Sequence, residues 1–330
     1  MKINLASNEV IHFIGIGGIG MSGLAQIMKN MGFKIQGSDL YQNKNTERLI
    51  KLGIKVFYGH RKKNLRKATI IVISSAIKNN NNELKAARRK KLSVFKRGDM
   101  LANIVSLKKN IIITGSHGKT TTTSLVANIL VEAGLDPTVI NGGVINSFKN
   151  NAQLGKGEWA VIESDESDGS FLKLPVTYSI VTNIDREHLD YYGNFEKLKK
   201  SFHKFIEKTP SFGKSIICID NNNLKFLINK YKSKNFLTYG FDKSSNYQII
   251  NVKKKVNYSI FDLRLKFTGN KIYKIKNIKV NLTGDHNISN ATASIAIALN
   301  LGIKINKIKK ALKKFLGIQR RFTKVFSIKK

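Results

Sequence analysis

The chain has 330 residues, 42% of them hydrophobic, and a formal net charge of +37 from 58 Lys and Arg against 21 Asp and Glu. That length suits about two domains with cores of their own, and no apolar run approaches the ~18–20 residues of a membrane span. A single cysteine, Cys218, excludes an internal disulfide and a CxxC metal motif, and the start lacks the layout of a secretory signal, so the cytoplasm is the expected compartment.

The opening pattern is strand, glycine turn, helix: an apolar run at 10–16, the glycine-rich turn 17–20, then a helical stretch at 21–31 with Gly32 just past its end. A second strand at 33–37 ends at Ser38-Asp39. Apolar runs at 54–58 and 69–73 then alternate with helical stretches such as 82–90, the βαβ pattern of a parallel sheet. Near 107–110 the pattern restarts. A wholly apolar strand at 111–114 suits the middle of a sheet covered on both faces; a loop at 115–119 and a helix at 120–133 follow, stopped by Gly134. Apolar strands at 159–162 and 178–182 each run directly into polar residues, where ligands of open α/β sheets bind. Residues 247–282 alternate as antiparallel strands do, 288–299 is a strongly apolar helix, and 305–315 a basic amphipathic one.

Two glycine loops carry chemistry. Gly15, Gly17 and Gly20 fit G-x-G-x-x-G between a strand and a helix, and Asp39 closes the next strand. Such a loop lets backbone N–H groups of Gly15, Gly17, Gly18, Gly20, Met21 and Ser22 approach a pyrophosphate at a helix N-terminus. NAD, a UDP-sugar and a purely structural turn all remain open at this point. The second loop, Thr114-Gly115-Ser116-His117-Gly118-Lys119-Thr120-Thr121, follows a buried strand and opens a helix. Lys119 can reach β- and γ-phosphates and the Thr120 hydroxyl can bind Mg²⁺, so a nucleoside triphosphate is expected. Ile113 stands where the first glycine of the general pattern belongs.

Three further segments stand out. The acidic stretch 163–170 ends a buried strand, which is costly unless a cation or donors compensate it; a solvated acidic loop is the bland alternative. Residues 182–190 contain Asn183 and His188 directly after a strand, although a lone histidine is more often structural. Residues 284–291 precede the apolar helix and read locally as an Asp/Asn cap.

The second loop resembles the G-[ST]-H-G-K-T-T of the Mur ligase superfamily, whose members join a carboxylate to an amine through an acyl phosphate. The resemblance implies that Glu163 binds magnesium and that 165–171 matches D-E-S-D-x-S-F, with Asp168 near substrate or metal. In T-N-[IV]-x-x-[DE]-H-x-D, His188 would bind a second magnesium and Asn183 would lie beside substrate or phosphate. In G-x-H-N-x-x-N, His286, Asn287 and Asn290 would contact adenosine, and Arg320 of Arg320-Arg321-Phe322 a phosphate.

Residues 12–25 are similar to the H-[FI]-x-G-I-G-G-x-G-M-S-G-[IL]-A of the alanine-adding branch, and 74–77 to its S-S-A-I. Residues 97–101 match its R-A-E-M-L except at two positions. Ser74, Ser75 and Arg97 thereby join the candidate substrate contacts. The resemblance implies an α/β protein in three parts. Residues 1–107 would be a Rossmann-like parallel-sheet domain binding a UDP-sugar, and 108–317 a P-loop-type α/β domain binding ATP. Residues 318–330 would be the remnant of a third domain that is essentially absent, so ligase activity from these residues alone is expected to be weak or lacking.

The implied reactants are UDP-N-acetylmuramate, L-alanine and ATP with two Mg²⁺ ions, with Lys119, Glu163 and His188 as the catalytic set and Thr120, Glu163 and His188 on the metal. A tripeptide-adding relative would share this machinery. A nicotinamide dehydrogenase would explain the first loop but not the second. A basic nucleic-acid-binding ATPase would explain the charge, yet the lysines are scattered, as at 78–82 and 271–279, without a stripe or recognition motif. Neither nucleic acid nor membrane insertion is expected.

Overall fold

The computed structural model describes residues 9–145, 150–231, 235–266, 272–315 and 317. They form two compact units, one of Met1–Leu107 with Asn151–Leu154, the other of Lys108–Asn150 with Gly155–Lys330. Among the described residues, no helix is long and apolar enough to cross a membrane.

The first unit runs β1 (Val10–Ile14), α1 (Ile19–Asn30), β2 (Lys34–Asp39), α2 (Lys44–Lys51), β3 (Lys55–Tyr58), β4 (Ile70–Ile73), α3 (Asn82–Arg89), β5 (Ser93–Lys96) and α4 (Arg97–Val105). All five strands are parallel, in the order β3-β2-β1-β4-β5. The central strand, Val-Ile-His-Phe-Ile, is buried from its second residue on, as a strand covered on both faces must be. Helix α1 begins at Ile19, two residues earlier than its apolar pattern suggests, with Gly18 as its N-cap. It ends in a Schellman motif: Gly32, at φ +99°, donates to the Lys29 carbonyl at 3.0 Å and Phe33 to that of Met28 at 3.1 Å. Helix α2 starts in a capping box, where Asn43 Oδ1 accepts from Thr46 N and Thr46 Oγ1 from Asn43 N.

The second unit contains β6 (Lys109–Thr114), α5 (Lys119–Glu132), β7 (Thr138–Ile145), β8 (Asn150–Gln153), β9 (Trp159–Glu163), β10 (Tyr178–Val181), α6 (Leu189–Tyr192) and α7 (Phe195–Glu207). It continues through β11 (Ser215–Cys218), α8 (Asn222–Tyr231), β12 (Phe236–Gly240), β13 (Tyr247–Lys254), β14 (Ser259–Lys266), β15 (Ile272–Val280), α9 (Asp285–Asn300) and α10 (Ile305–Lys314). Residues 151–153 of β8 belong to the first unit. The sheet order is β15-β14-β13-β12-β11-β10-β6-β9-β7. Strands β7 to β13 along this order pair in parallel, and β13, β14 and β15 form an antiparallel meander.

Strand β6 lies near the middle, with Ile111, Ile112 and Ile113 fully buried. Helix α5 packs on α9, which is apolar almost all round and correspondingly buried along most of its length. Several elements escape the sequence reading, β7, β11 and β12 among them. Strand β7 is interrupted by Asn141-Gly142-Gly143, and β11 and β12 are short runs of four and five residues, so none presents a long uninterrupted apolar signal.

Candidate active site

The sheet order assembles the site in the second unit. In β6, Ile113 pairs with Glu163 of β9 on one side and with Ile180 of β10 on the other. The carboxyl ends of three parallel strands therefore lie side by side, and each carries one of the polar segments singled out above. The phosphate loop 115–118 leaves β6, the acidic segment 164–170 leaves β9, and 182–188 leaves β10. Residues separated by up to seventy positions in the chain become neighbours because their strands share a sheet.

The phosphate loop is braced from the β10 side. Asn183 Oδ1 accepts from His117 N at 2.7 Å and its Nδ2 donates to the His117 carbonyl at 3.0 Å. Thr182 Oγ1 donates to that same carbonyl at 2.6 Å, and Asp185 N donates to Ser116 Oγ at 2.9 Å. Asn183, expected beside substrate or phosphate, thus has both amide atoms on the loop backbone. Gly115 sits at φ +130°, and a Cβ there would lie 2.2 Å from Thr182 Oγ1. Gly118, at φ +84°, is the N-cap of α5; a Cβ there would meet Asn290 Oδ1 at 2.7 Å.

Lys119 Nζ donates to the carbonyl of Gly115 at 2.6 Å, to that of Ser116 at 3.2 Å and to Glu166 Oε1 at 2.8 Å. His188 Nε2 lies 3.7 Å from the same Glu166 oxygen, so Lys119 and His188 converge on one carboxylate. Glu166 is 2% exposed, and its second oxygen, Oε2, is buried without a hydrogen-bond partner among the described residues. Burial raises the Glu166 carboxyl above its ordinary value despite the opposing charge of Lys119. Glu166, Glu187 and His188 each bring one ligand atom within 4.8 Å of the others, a donor set of two carboxylates and an imidazole. His188 itself holds a left-handed conformation, φ +58°. Glu187 also lies 3.5 Å from His117 Nε2, beside Asp185 at 3.4 Å.

Thr120 and Glu163, two of the expected metal ligands, meet directly: the hydroxyl donates to Glu163 Oε1 at 2.9 Å, and Gly142 N donates to Oε2 at 2.5 Å. Asp168 Oδ1 accepts from Ser170 N at 3.0 Å within its own loop. The carboxylate at the centre, Glu166, lies inside the quoted D-E-S-D signature but carries no role in the sequence reading; only folding shows that it faces both Lys119 and His188.

Beside the phosphate loop opens a cavity of about 370 Å³. His117, Gly118, Thr121 and Asn183 line it together with His286, Asn287 and Asn290 from the start of α9. Gly284 is the N-cap of that helix, with no side-chain cap bond, so the local expectation of an Asp/Asn cap is not what these residues do. Asn287 Nδ2 instead donates to the Thr283 carbonyl at 2.7 Å. Cys218, Asp220, Asn221 and Tyr239 complete the wall from the ends of β11 and β12. No motif marks these residues in the sequence, because the strands that end at them carry no strong local signal. Burial pushes the Cys218 thiol up and the Tyr239 hydroxyl well up. Arg320 lies outside the described residues.

In the first unit the glycine loop leans on the end of β2. Gly15 N and Ile16 N donate to the Ser38 carbonyl at 2.8 and 2.9 Å, and Gly17 N to Asp39 Oδ2 at 2.7 Å. Asp39 Oδ1 accepts from Leu40 N, so both its oxygens meet backbone amides. The side chains of Met21 and Ser22 are buried, and Ser22 Oγ donates to the Ile19 carbonyl at 3.0 Å. The Ser22 amide donates to the Gly18 carbonyl at 2.8 Å and that of Gly18 to the Gly15 carbonyl at 3.3 Å, so the amides of Gly15, Gly17, Gly18 and Ser22, expected on a pyrophosphate, are engaged within the unit. Ser74 packs beneath Gly15, its Cβ 3.2 Å from where a Gly15 Cβ would be, while Ser75 is exposed. The Arg97 guanidinium lies 3.2 Å from the Cβ position of Gly20, which brings it to the first turn of α1.

The family models "Mur ligase family, catalytic domain" and "Mur ligase middle domain" match residues 10–109 and 113–298. The chain is 61% identical over 327 residues to the UDP-N-acetylmuramate–L-alanine ligase of Pelagibacter ubique, covering 99% of this chain and 70% of that one. The UDP-N-acetylmuramate–alanine ligase structure from Thermotoga maritima superposes with a TM-score of 0.84 at 29% identity, over 96% of this chain and 70% of that one. The UDP-N-acetylmuramate:L-alanyl-γ-D-glutamyl-meso-diaminopimelate ligase structure from Neisseria meningitides gives 0.82 at 27% identity, over 94% of this chain and 99% of that one.

Proposed function

Because the chain belongs to the Mur ligase family, we propose that it serves the ATP-dependent joining of L-alanine to the carboxylate of UDP-N-acetylmuramate, a step of peptidoglycan synthesis in the cytoplasm. The observation that carries this reading is the convergence of Lys119 and His188 on Glu166 at the mouth of the phosphate loop. The 61% identity to an alanine ligase favours the alanine-adding reading over a tripeptide-adding one. Competition between L-alanine and the tripeptide for the same UDP-sugar separates the two.

In this reading the first unit grips the UDP-sugar diphosphate on the amides at the start of α1, and the cavity beside α9 takes the adenosine of ATP. The chemical difficulty is that a carboxylate must attack the γ-phosphate, anion against anion. Lys119, already held by three acceptors, supplies a fixed positive charge where phosphate oxygens would lie, without reorganisation at the moment of reaction. The carboxylate oxygen bonds to the γ-phosphorus as the bond to ADP breaks, giving an acyl phosphate. The neutral amine of L-alanine then attacks the acyl carbon, the C–O bond to phosphate breaks, and the amine sheds a proton.

The donor sets suit divalent cations. Thr120 and Glu163 would hold one, and His188, Glu187 and a carboxylate oxygen of Glu166 another. Bound there, Mg²⁺ would neutralise phosphate and carboxylate charge.

The Lys119→Ala substitution tests the assignment of the loop. ATP affinity, read by calorimetry with Mg²⁺ present, is expected to fall about 10- to 100-fold, the value of about one hydrogen bond to a charged group. Affinity for UDP-N-acetylmuramate should stay unchanged. Wild-type ATP affinity in that variant would show that the loop does not bind ATP.

A further inference from the structure

The first unit buries an acid that neither glycine loop touches directly. Glu83, on α3, is fully buried together with His12 on β1, and Gln36, Ser38 and Asn64 around it are buried as well. A carboxylate in a small parallel-sheet core is costly unless donors meet its oxygens, and here they do. Asn64 Nδ2 donates to Oε1 at 2.6 Å, and Ser38 Oγ donates to Oε2.

The network also assigns both histidines. Ser38 gives its only proton to Glu83, so His60 Nδ1, 3.0 Å from Ser38 Oγ and 3.2 Å from Glu83 Oε2, must be the protonated ring nitrogen. Gln36 Nε2 donates to the Asn64 carbonyl at 3.0 Å and turns its other hydrogen on His12 Nδ1 at 3.2 Å. His12 therefore carries its proton on Nε2, which faces Glu83 Oε2 at 3.6 Å. Burial alone would raise the Glu83 carboxyl, but the His12 ring facing it at 3.6 Å and hydrogen bonds from His60 and Ser38 outweigh it and hold it at about 2.

Ser38 is the link between this buried carboxylate and the glycine loop. Its carbonyl receives the amides of Gly15 and Ile16, and its chain neighbour Asp39 receives that of Gly17. Three consecutive amides of the loop thus hang on two residues at the end of β2, and one of those residues is tied from below to Glu83.

We propose that Glu83 is a positioning residue for the glycine loop, holding the Gly15–Gly17 backbone through Ser38 in the orientation that admits a sugar-nucleotide diphosphate. The proposal rests on reading that loop as the UDP-sugar site. A carboxylate is needed because all of its neighbours here are donors; a glutamine of equal volume would turn its own N–H groups on one of them.

The test is calorimetry on the full chain with UDP-N-acetylmuramate and, separately, with ATP and Mg²⁺. It compares wild type, Glu83→Gln, Ser38→Ala and the double variant. Each single change is expected to weaken UDP-sugar binding about tenfold, the worth of one to two buried hydrogen bonds, while ATP affinity stays within about twofold. The double variant should bind no worse than the weaker single one, because both changes cut the same path. Should Glu83→Gln fail to fold, Ser38→Ala, which removes only the link, carries the test. Wild-type UDP-sugar affinity in Ser38→Ala overturns the proposal, as does an equal loss of both ligands, which a merely structural role would produce. A wild-type chain that binds no UDP-sugar overturns the reading of the loop itself, and the proposal with it.

Discussion

Lys119 and Glu166 show how little of a site a residue type conveys before its neighbours are known. Glu166 is one of several acids in a short run, yet it alone is buried with one oxygen shared by Lys119 and His188 and the other without a partner among the described residues. Gly115 is the converse case, a residue defined by what cannot be added to it. Its φ of +130° is accessible essentially to glycine, and a methyl group would overlap the Thr182 hydroxyl. Gly115→Ala is expected to cost about 1–3 kcal/mol in local strain and to weaken ATP binding at the same time. Denaturant unfolding and nucleotide calorimetry on that variant check both effects together.

At the scale of elements, the α2 capping box links local structure to the glycine loop. Asn43 and Thr46 satisfy each other's backbone amides, and the first turn they fix carries Asn45, whose Nδ2 donates to the Gly17 carbonyl at 2.8 Å. Asn43→Ala should lower stability by about 1 kcal/mol, as lost N-caps do, and should also reduce UDP-sugar affinity modestly. A chemical denaturation curve for the first effect and calorimetry for the second would show whether the cap serves both.

The legibility of elements followed their surroundings. Strands 10–16, 111–114 and 159–162 are apolar runs next to glycine or acidic segments, and the structure has strands at all three places. Strand β2, by contrast, runs to Asp39, past its last apolar residue, because Ser38 and Asp39 pair with β3 as well as bracing the loop. Polar residues at a strand end look like loop until their partners are known.

At the scale of the whole molecule, charge and acid stability make separate predictions. The net charge of +37 is spread over lysines in every segment, so binding to DNA should be weak and steeply salt-dependent, with no stimulation of ATP turnover. ATPase measurements with and without nucleic acid check this, and marked stimulation would favour the nucleic-acid reading.

Glu83 contributes to the acid limb. Its folded value of about 2 lies below the ordinary 4.5, so the unfolded chain binds more protons between those values. The stabilisation is complete above about pH 4.5, amounts to about 3 kcal/mol, and is lost as pH falls toward 2. Urea midpoints of wild type and Glu83→Gln should differ near neutrality and converge only as pH falls to about 2.

The order of motifs along the chain already determined the family, because strand–glycine-loop–helix segments, a Gly-Lys-Thr turn and the histidine segment are local features that a chain displays before it folds. What only tertiary structure decided was which of those polar residues face one another. Glu166 became the partner of Lys119 and His188, and Asn183, expected beside substrate or phosphate, a brace of the phosphate loop, because parallel pairing of β6, β9 and β10 aligns strand ends that lie far apart in the chain. Glu83, on helix α3, reached Ser38 at the end of β2 across 45 positions of the chain, a contact that no spacing within a segment records.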